Sequence, residues 1–169
     1  MSTLLVMGLP LGGRSTAAGF LGLQAKIKQQ FGDKVTILVY VGERVENIIQ
    51  MLHEQYPGWD LIVGGYSWGA DNTSIIAAKS GRAIKFLFAL QPSVYYPTTP
   101  LGPNVKEALC VYNPWWFETM GLGFQRLTLA PGNTTTQLTM DAEHDSHPYV
   151  QSDPQVWAKV LAGIGRAVA

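Results

Sequence analysis

The chain has 169 residues, of which 47% are hydrophobic and only 14% are charged. That length suffices for one domain with a substantial core, and the low charge excludes a disordered chain. Twelve basic and twelve acidic residues cancel, and no basic stripe is visible, so nucleic acid is excluded as a favoured partner. We expect a single domain over residues 1–169.

The chain has one cysteine, Cys110, which excludes an internal disulfide framework and gives no cysteine-based metal cluster. It lies in the apolar run 108–112, which indicates a buried small side chain. Residues 1–7 lack the basic start and long apolar core of a signal peptide. No apolar run approaches the ~18 residues that a membrane span needs. We therefore expect no membrane span and a cytoplasmic location.

Apolar runs and helical periodicity alternate along the chain. Short apolar runs predict buried strands at 4–7, 35–40, 60–65, 83–90 and 108–112. The first helix is expected to be capped at Ser15 or Thr16 and ended by Gly32, and later helices are expected at 42–56, 70–79 and 154–168. Residues 126–130 and 136–140 are strand-like, and they form either a hairpin or one strand and a loop.

This alternation predicts an α/β protein. We expect a three-layer, doubly wound, mostly parallel sheet of about five to six strands with helices on both faces. In such sheets ligands bind beyond the C-terminal ends of the strands. The segments predicted at that edge are the loops 8–13, 91–104 and 113–123, the residue Ser67, and the histidine segment after Met140.

Residues 65–69 form the pentapeptide Gly-Tyr-Ser-Trp-Gly, which has the pattern G-x-S-x-G. An apolar run precedes it and a helix-compatible stretch follows, which is the strand–turn–helix context of a nucleophile elbow. A side chain two residues before or after the serine would clash in so tight a turn, so glycine is needed at both positions. Ser67 is therefore the candidate nucleophile.

A serine hydroxyl is a weak nucleophile and needs a base within hydrogen-bond reach. The chain has three histidines. His53 falls in the predicted second helix, far from the elbow. His144 and His147 lie between the last predicted strand and the last helix, at the edge that carries Ser67, and they are the candidate bases.

Over nearly its whole length the chain resembles a small α/β-hydrolase. Residues 64–70 are similar to the elbow of the cutinase-like branch, and the segment from His144 to the helix after Pro154 resembles the family's histidine loop and closing helix. The resemblance implies the minimal α/β-hydrolase fold, with Ser67 as nucleophile and no metal or organic cofactor. It favours His144 as the base, with His147 as the second candidate.

The resemblance also implies an oxyanion hole made by two backbone N–H groups. One would come from Trp68, the residue after the nucleophile, and the other from the loop after the first strand. Pro10 has no N–H, so Leu9 or Leu11 is the expected second donor.

Aromatic side chains gather in the segments at the predicted active edge. Tyr66, Trp115 and Trp116 are the candidate substrate-binding residues, because an apolar pocket with a few polar groups is typical of small-molecule sites. The alternative is that the same rings cover the sheet as part of the core.

The third member of the triad departs from the family's pattern. An Asp or Glu is expected after the fifth strand, where this chain has Asn113. An asparagine can hold the imidazole tautomer but has no charge to stabilise the imidazolium. Glu118 lies in the same loop and is the alternative. Three outcomes stay open: an acid from Glu118, a dyad assisted by Asn113, or an inactive site.

The sequence thus predicts a serine hydrolase that cleaves a small-molecule carboxylic ester or thioester through an acyl-enzyme on Ser67. The alternative is a catalytically degenerate binding or structural protein on the same fold. A nucleotide-binding domain is a third interpretation, although residues 8–13 do not match G-x-G-x-x-G. An exposed aromatic edge would favour a homodimer.

Overall fold

The computed structural model describes residues 2–10, 12–42, 44–93, 98–114, 126–143 and 146–169. Its strands are β1 (Thr3–Gly8), β2 (Val35–Tyr40), β3 (Asp60–Tyr66), β4 (Ile84–Leu90), β5 (Glu107–Tyr112) and β6 (Gln137–Ala142). Its helices are α1 (Ala18–Phe31), α2 (Val45–Glu54), α3 (Trp68–Lys79), α4 (His147–Val150) and α5 (Pro154–Val168).

The strands form one parallel sheet in the order β2-β1-β3-β4-β5-β6. Parallel pairing brings all the C-terminal strand ends to one edge. Gly8, the last residue of β1, lies opposite both Tyr40 and Gly65. The chain leaves β1 toward β2 and leaves β3 toward β4, so the topological switch point lies between β1 and β3. Ligand sites of doubly wound sheets form at this point.

Helices cover both faces of the sheet. Successive strand residues point to opposite faces, and along β1 the side chains of Leu5 and Met7 join one buried cluster while Leu4 and Val6 join another. The first cluster contains residues of α1 and α5, and the second contains residues of α2 and α3. The predicted three-layer α/β fold is therefore confirmed.

The start of α1 differs from the prediction. Gly13–Thr16 forms a 3-10 helix, and α1 begins only at Ala18. Ser15 Oγ donates to the carbonyl of Gly12 at 2.8 Å, and Thr16 Oγ1 donates to that of Gly13 at 3.3 Å. Both hydroxyls are thus used inside the preceding turn, so the predicted cap at Ser15 or Thr16 is wrong.

The hairpin alternative for residues 126–140 is also wrong. The second of the two strand-like segments corresponds to β6, which pairs in parallel with β5. In the first, Leu129 forms only an isolated bridge with Leu101. The alternative of one strand and a loop is therefore the correct one, because the sheet edge offers β6 a parallel partner in β5.

Helix α5 packs against β4 through a glycine. A Cβ atom on Gly163 would lie 2.3 Å from the ring of Phe86, which is only 1% exposed. A Cβ on Gly165, two residues later in the same helix, would lie 3.9 Å from the nearest atom, on Phe31. The first position has no room for a side chain, and the second has room.

No helix among the described residues is long and apolar enough to span a membrane.

These two glycines give a matched test of how closely α5 packs. Gly163→Ala should lower the free energy of unfolding by about 1–2 kcal/mol, because overpacking outweighs the gain in helix propensity. Gly165→Ala should raise it by roughly 0.5–1 kcal/mol. Urea unfolding followed by circular dichroism measures both. Equal effects of the two substitutions would contradict this packing.

Candidate active site

Ser67 alone forms the turn between β3 and α3. Its backbone has φ 56° and ψ −124°, a region that side-chain-bearing residues seldom occupy and that costs about 1–3 kcal/mol. Two contacts hold it there: the Ser67 amide donates to the carbonyl of Leu90 at 3.0 Å, and the Ala70 amide donates to the Ser67 carbonyl at 2.9 Å. Ser67 remains partly exposed at the C-terminal edge of the sheet.

Glycines make this turn possible. A Cβ atom on Gly65 would lie 2.2 Å from the carbonyl oxygen of Gly69, and a Cβ on Gly69 would lie 2.1 Å from that of Gly8. Any side chain at either position would push β3, α3 and the end of β1 apart. This is the steric reason for glycine that the sequence predicts.

His147, the first residue of α4, is held in place by two residues. Its Nδ1 lies 2.9 Å from Oε1 of Gln91. Its ring stacks on that of Tyr66, with centroids 5.0 Å apart and 29° between the planes, and the Tyr66 hydroxyl donates to the His147 carbonyl at 2.7 Å. A carbonyl oxygen such as Oε1 can only accept a hydrogen bond, so Nδ1 carries the hydrogen and Nε2 is the proton acceptor.

The surroundings of His147 carry no charge in the contacts described. Burial lowers the pKa of His147 below its ordinary value of 6.5. Burial also raises the pKa of Tyr66 to about 12, so the phenol is neutral at physiological pH. Asp141 and Glu143, which precede the histidine segment, both accept hydrogen bonds from Lys159. Their carboxylates are used to fix β6 to α5.

A second buried polar group lies just beyond the elbow. Asp71, in the first turn of α3, is 2% exposed and accepts hydrogen bonds from the amide and hydroxyl of Ser93 at 2.8 and 2.5 Å. Burial raises the pKa of Asp71 to about 7. This pair of bonds ties the segment after β4 to α3, two residues beyond Gln91.

The histidine segment is anchored to α1 by Gln151. Its Oε1 accepts a hydrogen bond from the Phe20 amide, and its Nε2 donates to the carbonyl of Thr16, each at 3.2 Å. Gly19 lets the two segments approach, since a Cβ there would lie 2.8 Å from the Gln151 carbonyl oxygen. These contacts fix α4, and His147 with it, relative to the sheet.

The three backbone amides that the sequence predicts as oxyanion donors differ in their hydrogen bonding. The amide of Leu9 donates to the carbonyl of Tyr40 at 3.1 Å, so it is already used in the fold. Trp68 is the first residue of α3, where helical amides lack an intrahelical acceptor, and no acceptor for its amide is found among the described residues. Leu11 lies outside the described residues.

Other predicted site residues are placed as follows. Tyr66 is 3% exposed and its ring stacks on that of His147, and its substrate contact stays a prediction. Asn113 is 3% exposed at the end of β5, on the same sheet edge as Ser67. Outside the described residues lie His144, Glu118, Trp115 and Trp116.

Sequence reasoning missed Gln91 and Asp71. The available signal for Gln91 was its position directly after a buried strand, at the edge where the site was expected. Asp71 had a signal too: it is an acidic residue in the first turn of an otherwise apolar and small-residue helix, four residues after Ser67. Neither signal shows which side chain the residue contacts in the folded protein.

A cavity of about 230 Å³ lies beside the elbow, between α3 and the first turn of α2. It is lined by Trp68, Asn72, Ile75 and Lys79 of α3 and by Arg44, which directly precedes α2. Within the described part of the chain, no group of three or more His, Cys, Asp or Glu side chains could hold a metal ion. The arrangement therefore offers a serine, a neutral imidazole and an adjoining groove.

Solved structures with the same architecture are found for nearly the whole chain. It is similar to a cutinase-like protein from Cryptococcus sp., with a TM-score of 0.56 and 14% identity over 99% of this chain and 95% of that one. A thioesterase from the prodiginine biosynthetic pathway in Streptomyces coelicolor gives a TM-score of 0.56 and 14% identity over 98% and 85%. An α/β serine hydrolase without a lid from Xanthomonas campestris gives 0.58 and 13% over 96% and 81%.

The chain therefore has the α/β-hydrolase fold that the sequence predicts. Identities of 13–14% establish the fold, and function must be argued from the site itself. No protein-family model and no curated protein matches the sequence.

The raised pKa of Asp71 predicts a particular pH dependence of stability. Its carboxyl binds a proton more readily in the folded chain than in the unfolded one, so its contribution is largest below pH ~4 and is lost as the pH rises toward ~7. Wild type should lose up to about 4 kcal/mol through this group over that range, and Asp71→Asn should not.

Urea unfolding at several pH values between 4 and 8 measures this difference. Asp33→Asn, which changes a fully exposed carboxylate, is the matched control and should follow the wild-type pH dependence. A pH dependence that is identical in wild type and Asp71→Asn would contradict the assignment.

Proposed function

We propose that the protein is a serine hydrolase that cleaves a carboxylic ester or thioester through an acyl-enzyme on Ser67. The observation that carries the proposal is the strained turn at Ser67, which presents its hydroxyl at the edge where His147 is fixed with Nε2 as its proton acceptor. A strained non-glycine residue at such a turn is typical of functional sites.

In the proposed acylation step, Ser67 Oγ attacks the carbonyl carbon while Nε2 of His147 takes the hydroxyl proton. The oxyanion accepts hydrogen bonds from the Trp68 amide and from an amide of the loop after β1. The Leu9 amide already donates to the Tyr40 carbonyl, so of the two candidates in that loop we retain Leu11 as the predicted second donor. The N-terminal end of α3 adds a favourable dipole.

The tetrahedral intermediate then loses the alcohol or thiol, which takes the proton from the imidazolium of His147 as the C–O or C–S bond breaks. In the second half of the reaction water attacks the acyl-enzyme, with Nε2 again as the proton acceptor. The bond between the carbonyl carbon and Ser67 Oγ then breaks, Oγ takes the proton back from the imidazolium, and the carboxylic acid leaves.

We choose His147 as the base, although the family resemblance favours His144. Stacking on Tyr66 and the bond to Gln91 give the His147 ring one orientation and one tautomer, as a general base requires. His144 lies outside the described residues and remains the alternative, which variants can separate.

The proposed substrate is a small-molecule ester or thioester whose bound part extends into the cavity beside Trp68. The apolar side chains of Trp68 and Ile75 suit an acyl or aryl group. Trp115 and Trp116 remain predicted substrate contacts. Solved neighbours described as a thioesterase and a cutinase-like protein are consistent with this substrate class.

Covalent labelling tests the proposal directly. A fluorophosphonate should add to wild type at a ratio of one to one, and intact mass should locate the adduct on Ser67. Ser67→Ala should abolish labelling, and His147→Ala should slow it by a factor of roughly 10²–10⁴, because general-base assistance is lost.

His53→Ala is the matched histidine control, since His53 is exposed on α2, and it should label like wild type. A large loss with His144→Ala and none with His147→Ala would transfer the role of base to His144. Absence of labelling in folded wild type would favour the degenerate binding protein, for which Asn113 after β5 is the supporting feature.

The lowered pKa of His147 predicts an activity that persists in mild acid. The neutral imidazole is the active form, so the rate should fall only as the pH drops through a midpoint below 6.5. The pH dependence of the labelling rate between pH 4 and 9 measures this midpoint. A midpoint above 6.5 would indicate that a carboxylate faces His147.

A further inference from the structure

We infer that Gln91 is the positioning residue that orients His147, in place of a triad carboxylate, and that the enzyme therefore favours esters and thioesters with acidic leaving groups. This inference rests on the proposed function and adds a residue role and a substrate class to it. Neither Asn113 nor Glu118, the two candidates that the sequence provides, is needed for it.

The first argument is that the Nδ1 position is occupied. Nδ1 of His147 carries one hydrogen, and Oε1 of Gln91 lies 2.9 Å from it, a normal hydrogen-bond length. In a serine triad this is the bond that the acid makes. Any residue that is to replace Gln91 in that role must first displace it.

The second argument is that Gln91 is held as firmly as a catalytic-site residue must be. It is 1% exposed, and its amide donates to the Val111 carbonyl at 2.7 Å. The residue before it accepts the hydrogen bond from the Ser67 amide, and Ser93, two residues after it, is bonded twice to Asp71. Gln91 is thus fixed on one side to the elbow and on the other to α3.

The third argument is backbone strain. Gln91 has φ 40°, and among the described residues it shares a positive φ with only one other non-glycine residue, Ser67. Such strain persists only where the surrounding structure enforces it, and it concentrates at functional sites. The two strained residues directly follow the adjacent strands β3 and β4, and the Ser67 amide donates to the residue before Gln91.

The chemical consequence follows from the charge of the amide. Gln91 selects the correct tautomer, but it gives no negative charge to stabilise the imidazolium that forms when Ser67 is deprotonated. Attack on the carbonyl is then least hindered when that carbonyl is strongly electrophilic. A thiolate or phenolate can also leave without taking a proton, and the imidazolium then releases its proton to solvent water before deacylation. An alkoxide must receive a proton from the imidazolium as its bond breaks.

Two substitutions test this role. Gln91→Met keeps the length of the side chain but removes the acceptor, and it should lower kcat/KM for a phenyl ester by a factor of about 10²–10⁴ with little change in KM. Gln91→Glu supplies the missing charge. It should raise the pH midpoint of kcat/KM by about one unit or more, and raise ethyl-ester cleavage relative to phenyl-ester cleavage at least about tenfold.

Gln137→Met, on the exposed edge strand β6, is the matched control and should behave as wild type. The pH profile is repeated with Asp71→Asn, because Asp71 is the ionisable group that holds the Gln91 segment. If Gln91→Met fails to fold, ¹⁵N NMR of wild-type histidine still reports the tautomer, which should have hydrogen on Nδ1 of His147.

The inference is overturned by a wild type with hydrogen on Nε2, by an active Gln91→Met with unchanged kcat/KM, or by an unchanged ester preference in Gln91→Glu. Failure of the proposed function is distinguishable, because it is seen as absent labelling of Ser67 in wild type, whatever the tautomer. That result would also remove the predicted leaving-group preference.

Discussion

Three backbone segments approach one another closely at Gly8, Gly65 and Gly69, and the geometry of the candidate site follows from this approach. Added Cβ atoms at Gly65 and Gly69 would come within 2.2 Å of a carbonyl oxygen in a neighbouring segment. This approach places the start of α3 directly against the ends of β1 and β3, at the switch point of the sheet. The positive φ of Ser67 and the partial exposure of this residue both follow from it.

The contacts that extend from this turn are almost all uncharged. The Ser67 amide donates to the carbonyl of Leu90, the last residue of β4. The next residue, Gln91, contacts the His147 ring through its side-chain oxygen, and that ring stacks on Tyr66. The carboxyl of Asp71 accepts hydrogen bonds from Ser93, two residues after Gln91, and the carboxylates of Asp141 and Glu143 accept hydrogen bonds from Lys159. Burial in these surroundings lowers the pKa of His147, so the imidazole stays neutral into mild acid.

The sequence predicts those parts of the site that are formed by residues contiguous in the chain, and it does not predict contacts between distant residues. The elbow at Ser67 is local, since the strand, the two glycines and the helix are contiguous, and the helices and strands follow from periodicity in short windows. The contact between Gln91 and His147 joins residues 56 positions apart, and it depends on the register of β4 with β5 and on the docking of α4. Helix α4 has four residues and so no periodicity to read. Sequence pattern alone therefore does not decide whether His144 or His147 is the base.

The two strained residues also explain why the supporting structure is so heavily bonded. Ser67 and Gln91 each hold an unfavourable backbone conformation, and each belongs to a segment tied down on both sides by hydrogen bonds to neighbouring strands or to α3. Strain of this kind persists only while the surrounding strand ends are held in place. The parallel sheet and its two buried clusters resist movement of these ends because close-packed interiors do not deform gradually. The position of the hydroxyl relative to the imidazole is in this sense a property of the whole core.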